Sequence, residues 1–86
     1  MNDITVDRQT LKALGAETRV NILKELSRRK MTQAELAVKL GLSQASVNEH
    51  VRNLEQVGLV AQIDSQGRKW KYYELTPKGA AIVGGP

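Results

Sequence analysis

Between Thr32 and Gly58 the chain carries a series of start and stop signals whose spacing leaves room for two helices and a three-residue turn. Thr32-Gln33-Ala34-Glu35 has the form of a capping box, in which hydroxyl and carboxylate satisfy each other's backbone amides at a helix start. A short helix to Leu40 follows, with Leu36, Ala37 and Leu40 inward. Gly41 then supplies the left-handed conformation that a tight stop requires. Leu42 reads as an apolar plug in the turn, and Ser43 as the N-cap of a helix from Gln44 to about Gln56. In that helix Val47, Val51 and Leu54 recur at i, i+4, i+7 as one buried stripe, and Gly58 stands where a C′ glycine belongs. Two helices joined through Gly41-Leu42-Ser43 make a helix-turn-helix.

The flanks complete the expected order. A helix over Asp7 to Leu14 ends at Gly15, and a second runs from about Glu17 to Arg29 on a stripe of Val20, Ile22, Leu23 and Leu26. After Gly58 the apolar period changes. Leu59 to Ile63 reads as a strand, Ser65-Gln66-Gly67 as a turn, and Lys69 to Leu75 as the return strand. Alternation puts Tyr73 with Leu75 toward the core and Trp70, Tyr72 and Glu74 on the other face. Trp70 then either covers the hairpin or sits in a dimer interface. Thr76-Pro77 has the form of an N-cap with proline at N1, opening a short helix from Lys78 to Val83. The expected fold is mainly α with a small antiparallel β-hairpin, a winged helix-turn-helix, in a single domain spanning residues 1–86.

Composition narrows the chemistry. Eighty-six residues suffice for one domain. With no cysteine there is no disulfide, thiolate metal site or thiol nucleophile, and one histidine makes no metal site alone. No phosphate loop or nucleophile–base set is present, which argues against an enzyme. No apolar run approaches a membrane span and Met1 to Thr10 is no signal peptide, so a soluble, cytoplasmic protein is expected. The net charge is +4. Arg28, Arg29 and Lys30 are consecutive, and Arg68, Lys69, Lys71 and Lys78 face only Glu74 after residue 64. Such clustering suits either solubility or a phosphate-binding surface.

With Val47, Val51 and Leu54 inward, elimination leaves Gln44, Asn48 and Arg52 as an outward row, flanked by Ser46, Glu49 and Asn53. Gln and Asn amides can pair bidentately with adenine, Arg with guanine, and Glu49 can accept from cytosine N4. Base contacts are therefore expected from Gln44, Ser46, Asn48, Glu49 and Arg52, with Arg52 equally suited to phosphate. Backbone contacts are expected from Thr32, Ser43, Arg68, Lys69 and Lys71, the last three from the hairpin, or wing. His50 lies between the buried stripe and this row and reads as a half-buried hydrogen-bonding residue. The partner implied is double-stranded DNA. A winged-helix module for protein–protein contact, or the DNA-binding part of a longer regulator, is the alternative; a protein-binding version would expose an apolar patch.

Leu11-Lys12-Ala13-Leu14-Gly15-Ala16-Glu17-Thr18-Arg19 followed by Ile22-Leu23, then Glu35-Leu36-Ala37 through Leu40-Gly41-Leu42-Ser43-Gln44-Ala45-Ser46-Val47, His50-Val51 through Leu54, Gly58-Leu59-Val60, Gly67-Arg68 and Tyr72-Tyr73-Glu74-Leu75-Thr76 resemble ArsR-type winged-helix repressors. Leu75-Thr76-Pro77-Lys78-Gly79 is shared with MarR- and PadR-like winged helices. The resemblance covers roughly residues 11 to 79. It implies a homodimer that represses transcription from palindromic operators, paired through the N-terminal helix and the C-terminal segment. Metal sensors of this type carry paired cysteines in the helix before the turn. Glu35-Leu36-Ala37-Val38-Lys39-Leu40 has none, and the His and acidic ligands of the alternative C-terminal site are missing too, so metal sensing is rejected and no cofactor is expected.

Overall fold

A computed structural model describes residues 16–63 and 71–84. Its elements run α1 (Glu17–Leu26), β1 (Met31–Thr32), α2 (Gln33–Leu40), α3 (Gln44–Gln56), β2 (Val60–Ile63), β3 (Tyr72–Leu75) and α4 (Pro77–Ile82). The expected helix over Asp7 to Leu14, the wing turn, Arg68, Lys69 and Trp70 lie outside the described residues.

Both helix starts of the central motif form as their residues dictate. Thr32 Oγ1 accepts from the Glu35 amide at 3.1 Å while Glu35 Oε1 accepts from the Thr32 amide at 3.0 Å. Ser43 Oγ accepts from the Ser46 amide at 3.1 Å. Gly41 closes α2 at φ 68°, and Gly58 follows α3 at φ 80°; a side chain would strain either position.

The helix Glu17 to Arg29 stops short, at Leu26. Ser27 turns its hydroxyl back onto the Lys24 carbonyl, the local competition that disfavours serine inside helices. The chain must then straighten, because Met31–Thr32 forms a strand absent from the sequence reading. The sheet is therefore three-stranded rather than a hairpin, in the order β1-β3-β2 and antiparallel throughout. Met31 lies opposite Tyr73 on one side, and Gln62 lies opposite it on the other. Alternation holds as expected along β3: Tyr73 is buried and Glu74 exposed.

Helices and sheet meet in one apolar core. It comprises Ile22, Leu23 and Leu26 of α1, Leu36 and Ala37 of α2, and Val47, Val51 and Leu54 of α3, closed by Met31, Leu59, Val60 and Tyr73. No helix among the described residues is long and apolar enough to cross a membrane.

The C-terminal helix is tied to the end of α3. Thr76 Oγ1 donates to the Gly58 carbonyl at 2.6 Å and accepts from the Gly79 amide at 3.1 Å. Lys78 Nζ donates to the Val57 carbonyl at 2.9 Å. These bonds satisfy carbonyls that a helix end otherwise leaves to water.

The capping box carries a pH dependence. The Thr32 backbone amide and the Arg29 guanidinium, 3.1 Å from Glu35 Oε2, hold the Glu35 carboxyl below the usual carboxylate range. A depressed folded-state pKa gives stability that is fully present above the unfolded value and is lost as pH falls through the folded one. Glu35→Gln keeps the acceptor and removes the titration, so its denaturation midpoint should fall less steeply with acid than that of the wild type. Identical acid limbs would rule out this source. Thr32→Ala should cost about 1 kcal/mol at neutral pH.

Candidate nucleic-acid interface

The second helix of the turn motif, α3, is anchored by Val47, Val51 and Leu54, all fully buried. Its outer surface is not the even row that elimination suggests. Each i+4 step rotates about 40° around a helix, so Gln44, Asn48 and Arg52 spiral across the face. Gln44 and Arg52 are exposed, whereas Asn48 is half-buried on the shoulder toward α2. Ala45, Glu49 and Gln56 are exposed alongside Arg52, and Ser46 and Asn53 are half-buried.

Asn48 turns toward an open groove of about 380 Å³, lined by Thr32, Gln33, Ala34, Gln44, Asn48, Lys71 and Tyr73. Three elements build it: the first turn of α2, the first half of α3 and the base of β3. The fold thus brings together Gln44 and Asn48, expected at bases, with Thr32 and Lys71, expected at the backbone. Ser43, the N-cap of α3, and Ser46, Glu49 and Arg52 along that helix lie outside this groove.

Gln33 joins the groove without having been singled out by sequence reasoning. Its Nε2 donates to Asn48 Oδ1 at 3.0 Å and to the Tyr73 hydroxyl at 3.2 Å, and that hydroxyl donates onward to Gln62 Oε1 at a long 3.5 Å. The only available signal was a glutamine placed directly after a capping threonine, a position that faces whatever lies beyond the helix start.

His50 is half-buried and hydrogen-bonded, as its position between faces suggested. Arg19 Nε donates to its Nδ1 at 3.1 Å, tying α3 to α1. The cation run behaves differently from a free phosphate-binding cluster. Arg29 is paired with Glu35, and the Lys30 ammonium stands 5.1 Å from the Tyr72 ring centroid, an arrangement in which a ring face attracts a cation. Arg28 stays exposed.

Chemically the groove offers two hydroxyls, three side-chain amides and an ammonium. Such groups donate to phosphate oxygens and pair with base edges. The residues that line this groove do not suit a metal. The chain has no cysteine, no three His, Cys, Asp or Glu side chains assemble among the described residues, and His50 Nδ1 is occupied by Arg19.

A model of the bacterial regulatory proteins of the arsR family matches residues 16–62. Among solved structures, the chain is similar to the transcriptional regulator HlyU of Vibrio vulnificus, with 32% identity and a TM-score of 0.75 over 87% of this chain and 77% of that one. It is similar to the adhesin competence repressor AdcR of Streptococcus pyogenes, at 31% identity and a TM-score of 0.74 over 85% of this chain and 57% of that one. A mutant of ZitR from Lactococcus lactis gives 25% identity and a TM-score of 0.74 over 79% of this chain. The chain spans 57% of AdcR and 47% of ZitR, about half the length of each. Among curated protein sequences none matches it.

Proposed function

The chain belongs to the ArsR family of bacterial regulatory proteins, and from that membership we propose that it is a sequence-specific regulator of transcription that binds double-stranded DNA. The observation that carries this reading is the groove in which Gln44 and Asn48 of α3 lie beside Thr32 and Lys71. In the proposed complex α3 enters the major groove. Gln44, Asn48 and Arg52, with Ser46 and Glu49, face base edges. Thr32, Ser43 and Lys71, together with Arg68 and Lys69 of the wing, hold the phosphates on either side.

The protein acts as a homodimer on a two-fold operator, its half-sites about 10 bp apart, and represses by occupying that site. The expected helix over Asp7 to Leu14 and the C-terminal segment, α4 included, supply the proposed dimer contacts. A protein-binding role would call for an exposed apolar patch. Among the described residues Val38 is the single large apolar side chain left open, at 82% exposure, which favours the DNA reading.

Selection of bound sequences from random duplexes tests the proposal directly, with a palindromic consensus as the expected result. Gln44→Ala and Asn48→Ala should each relax preference at one position by roughly 1–3 kcal/mol. Lys71→Ala should instead weaken all duplexes alike and reduce the salt slope by about 0.9. Selection that yields no consensus, with a salt slope untouched by Lys71→Ala, would sink the assignment.

A further inference from the structure

We propose that Gln33 is a positioning residue that sets which bases Asn48 selects, by fixing which end of the Asn48 amide faces the groove. The inference rests on the reading of α3 as the DNA-reading helix and goes beyond it to a residue placed on a different helix.

An asparagine amide carries an acceptor at Oδ1 and two hydrogens at Nδ2, and bidentate pairing with adenine uses both ends. Here Oδ1 is already engaged, accepting from Gln33 Nε2 at 3.0 Å. The other Gln33 hydrogen goes to the Tyr73 hydroxyl, which passes its own to Gln62 Oε1. Oδ1 keeps one lone pair, but both hydrogens of Nδ2 are uncommitted among the described residues, so the amino group is the end of Asn48 that offers a ligand most. Its complement in the major groove is an acceptor, guanine O6 and N7, thymine O4 or adenine N7, whereas cytosine offers only the donor at N4.

This hydrogen-bonded series has two self-consistent directions, because amides and hydroxyls can each give or receive. Reversed, Gln33 Oε1 would accept from Asn48 Nδ2 and from the Tyr73 hydroxyl, and Asn48 would present its oxygen. Gln33 is the member in direct contact with Asn48, so the end of its amide turned toward α3 sets which end of the Asn48 amide is engaged. Tyr73 is buried and held in register between Met31 and Gln62, so the sheet fixes where its hydroxyl oxygen stands beside Gln33, while the hydroxyl proton can serve either direction. The same series links the strands at the base of the wing to the middle of α3.

Gln33→Glu forces the reversal, because a carboxylate only accepts. An acidic residue in the first turn also suits the helix start, so the variant keeps its fold. Two readouts are expected. Without DNA, the Asn48 side-chain amide protons should move downfield and exchange more slowly in NMR spectra, with the thermal midpoint retained. In random-duplex selection, one position should turn from guanine or thymine toward cytosine by on the order of tenfold, with adenine, which carries both a donor and an acceptor, tolerated by both proteins, while the added charge lowers all affinities alike. Gln33→Leu should broaden preference at that position without inverting it. Unchanged Asn48 amide signals in Gln33→Glu would overturn the proposal whatever the DNA result. Shifted signals with unaltered preference would also overturn it, provided Asn48→Ala still relaxes that position. If Asn48→Ala leaves preference intact, the base contact itself fails, and this proposal falls with it.

Discussion

Gly79→Ala is expected to lower the unfolding free energy by about 2–3 kcal/mol, although alanine is the better helix former by nearly 1 kcal/mol. A Cβ built at Gly79 falls inside the contact distance of the Leu59 carbonyl oxygen. That oxygen cannot swing aside, because the Thr76 amide donates to it at 3.1 Å. Neither can α4 retreat without giving up Thr76 to Gly58 and Lys78 to Val57. The close approach of helix to backbone is therefore possible only for a residue without a side chain. Ala81→Gly, on the exposed side of the same helix, isolates propensity and should cost about 0.5–1 kcal/mol. Urea denaturation of both variants gives the comparison. A Gly79→Ala protein as stable as the wild type would mean that α4 shifts without penalty, contrary to the bonds that hold it.

Leu36→Ala should cost about 2–5 kcal/mol. Leu36 is fully buried in α2 within the core shared by α1 and α3, and its removal leaves a cavity among side chains already close-packed. Two residues along the same helix, Val38→Ser should change stability by no more than about 0.5 kcal/mol, since Val38 stands in solvent. Denaturation midpoints of the two variants test whether α2 is held by one face alone. Equal losses at both positions would contradict that arrangement.

The turn motif was legible because its punctuation is local. A threonine–glutamate box, a left-handed glycine and a capping serine act within four residues of themselves, so Thr32, Gly41 and Ser43 could be read without knowing what surrounds them. β1 was not legible for the opposite reason. Two residues carry no period, and Met31 and Thr32 become a strand only because Tyr73 and Tyr72 arrive beside them. The end of α1 was misplaced by three residues because no glycine or proline marks it, and a serine hydroxyl supplies the stop instead.

Within the candidate site, the helix carrying Gln44, Asn48 and Arg52 could be found from the stripe opposite. The shoulder position of Asn48 could not, because it depends on how α2 packs across α3. Gln33 and Tyr73 are forty residues apart along the chain, and nothing in either local sequence announces their contact. Likewise Arg29 and Lys30 look alike in a basic run, yet one meets a carboxylate and the other an aromatic ring.

The sheet's strand order has a consequence for how the molecule is made. β3 is the middle strand and, among the described residues, the partner of both others, yet it is the last of the three to leave a ribosome. While the chain emerges from its N-terminus, the helical pairs can form through contacts near in sequence. β1 and β2 must wait with unpaired edges, and the core stays open where Tyr73 will sit. Arrival of four residues, Tyr72 to Leu75, then closes two ladders and the core in one event. The groove beside Asn48 takes shape at that same moment, so a nascent chain lacks its complete candidate DNA-reading surface until β3 is in place.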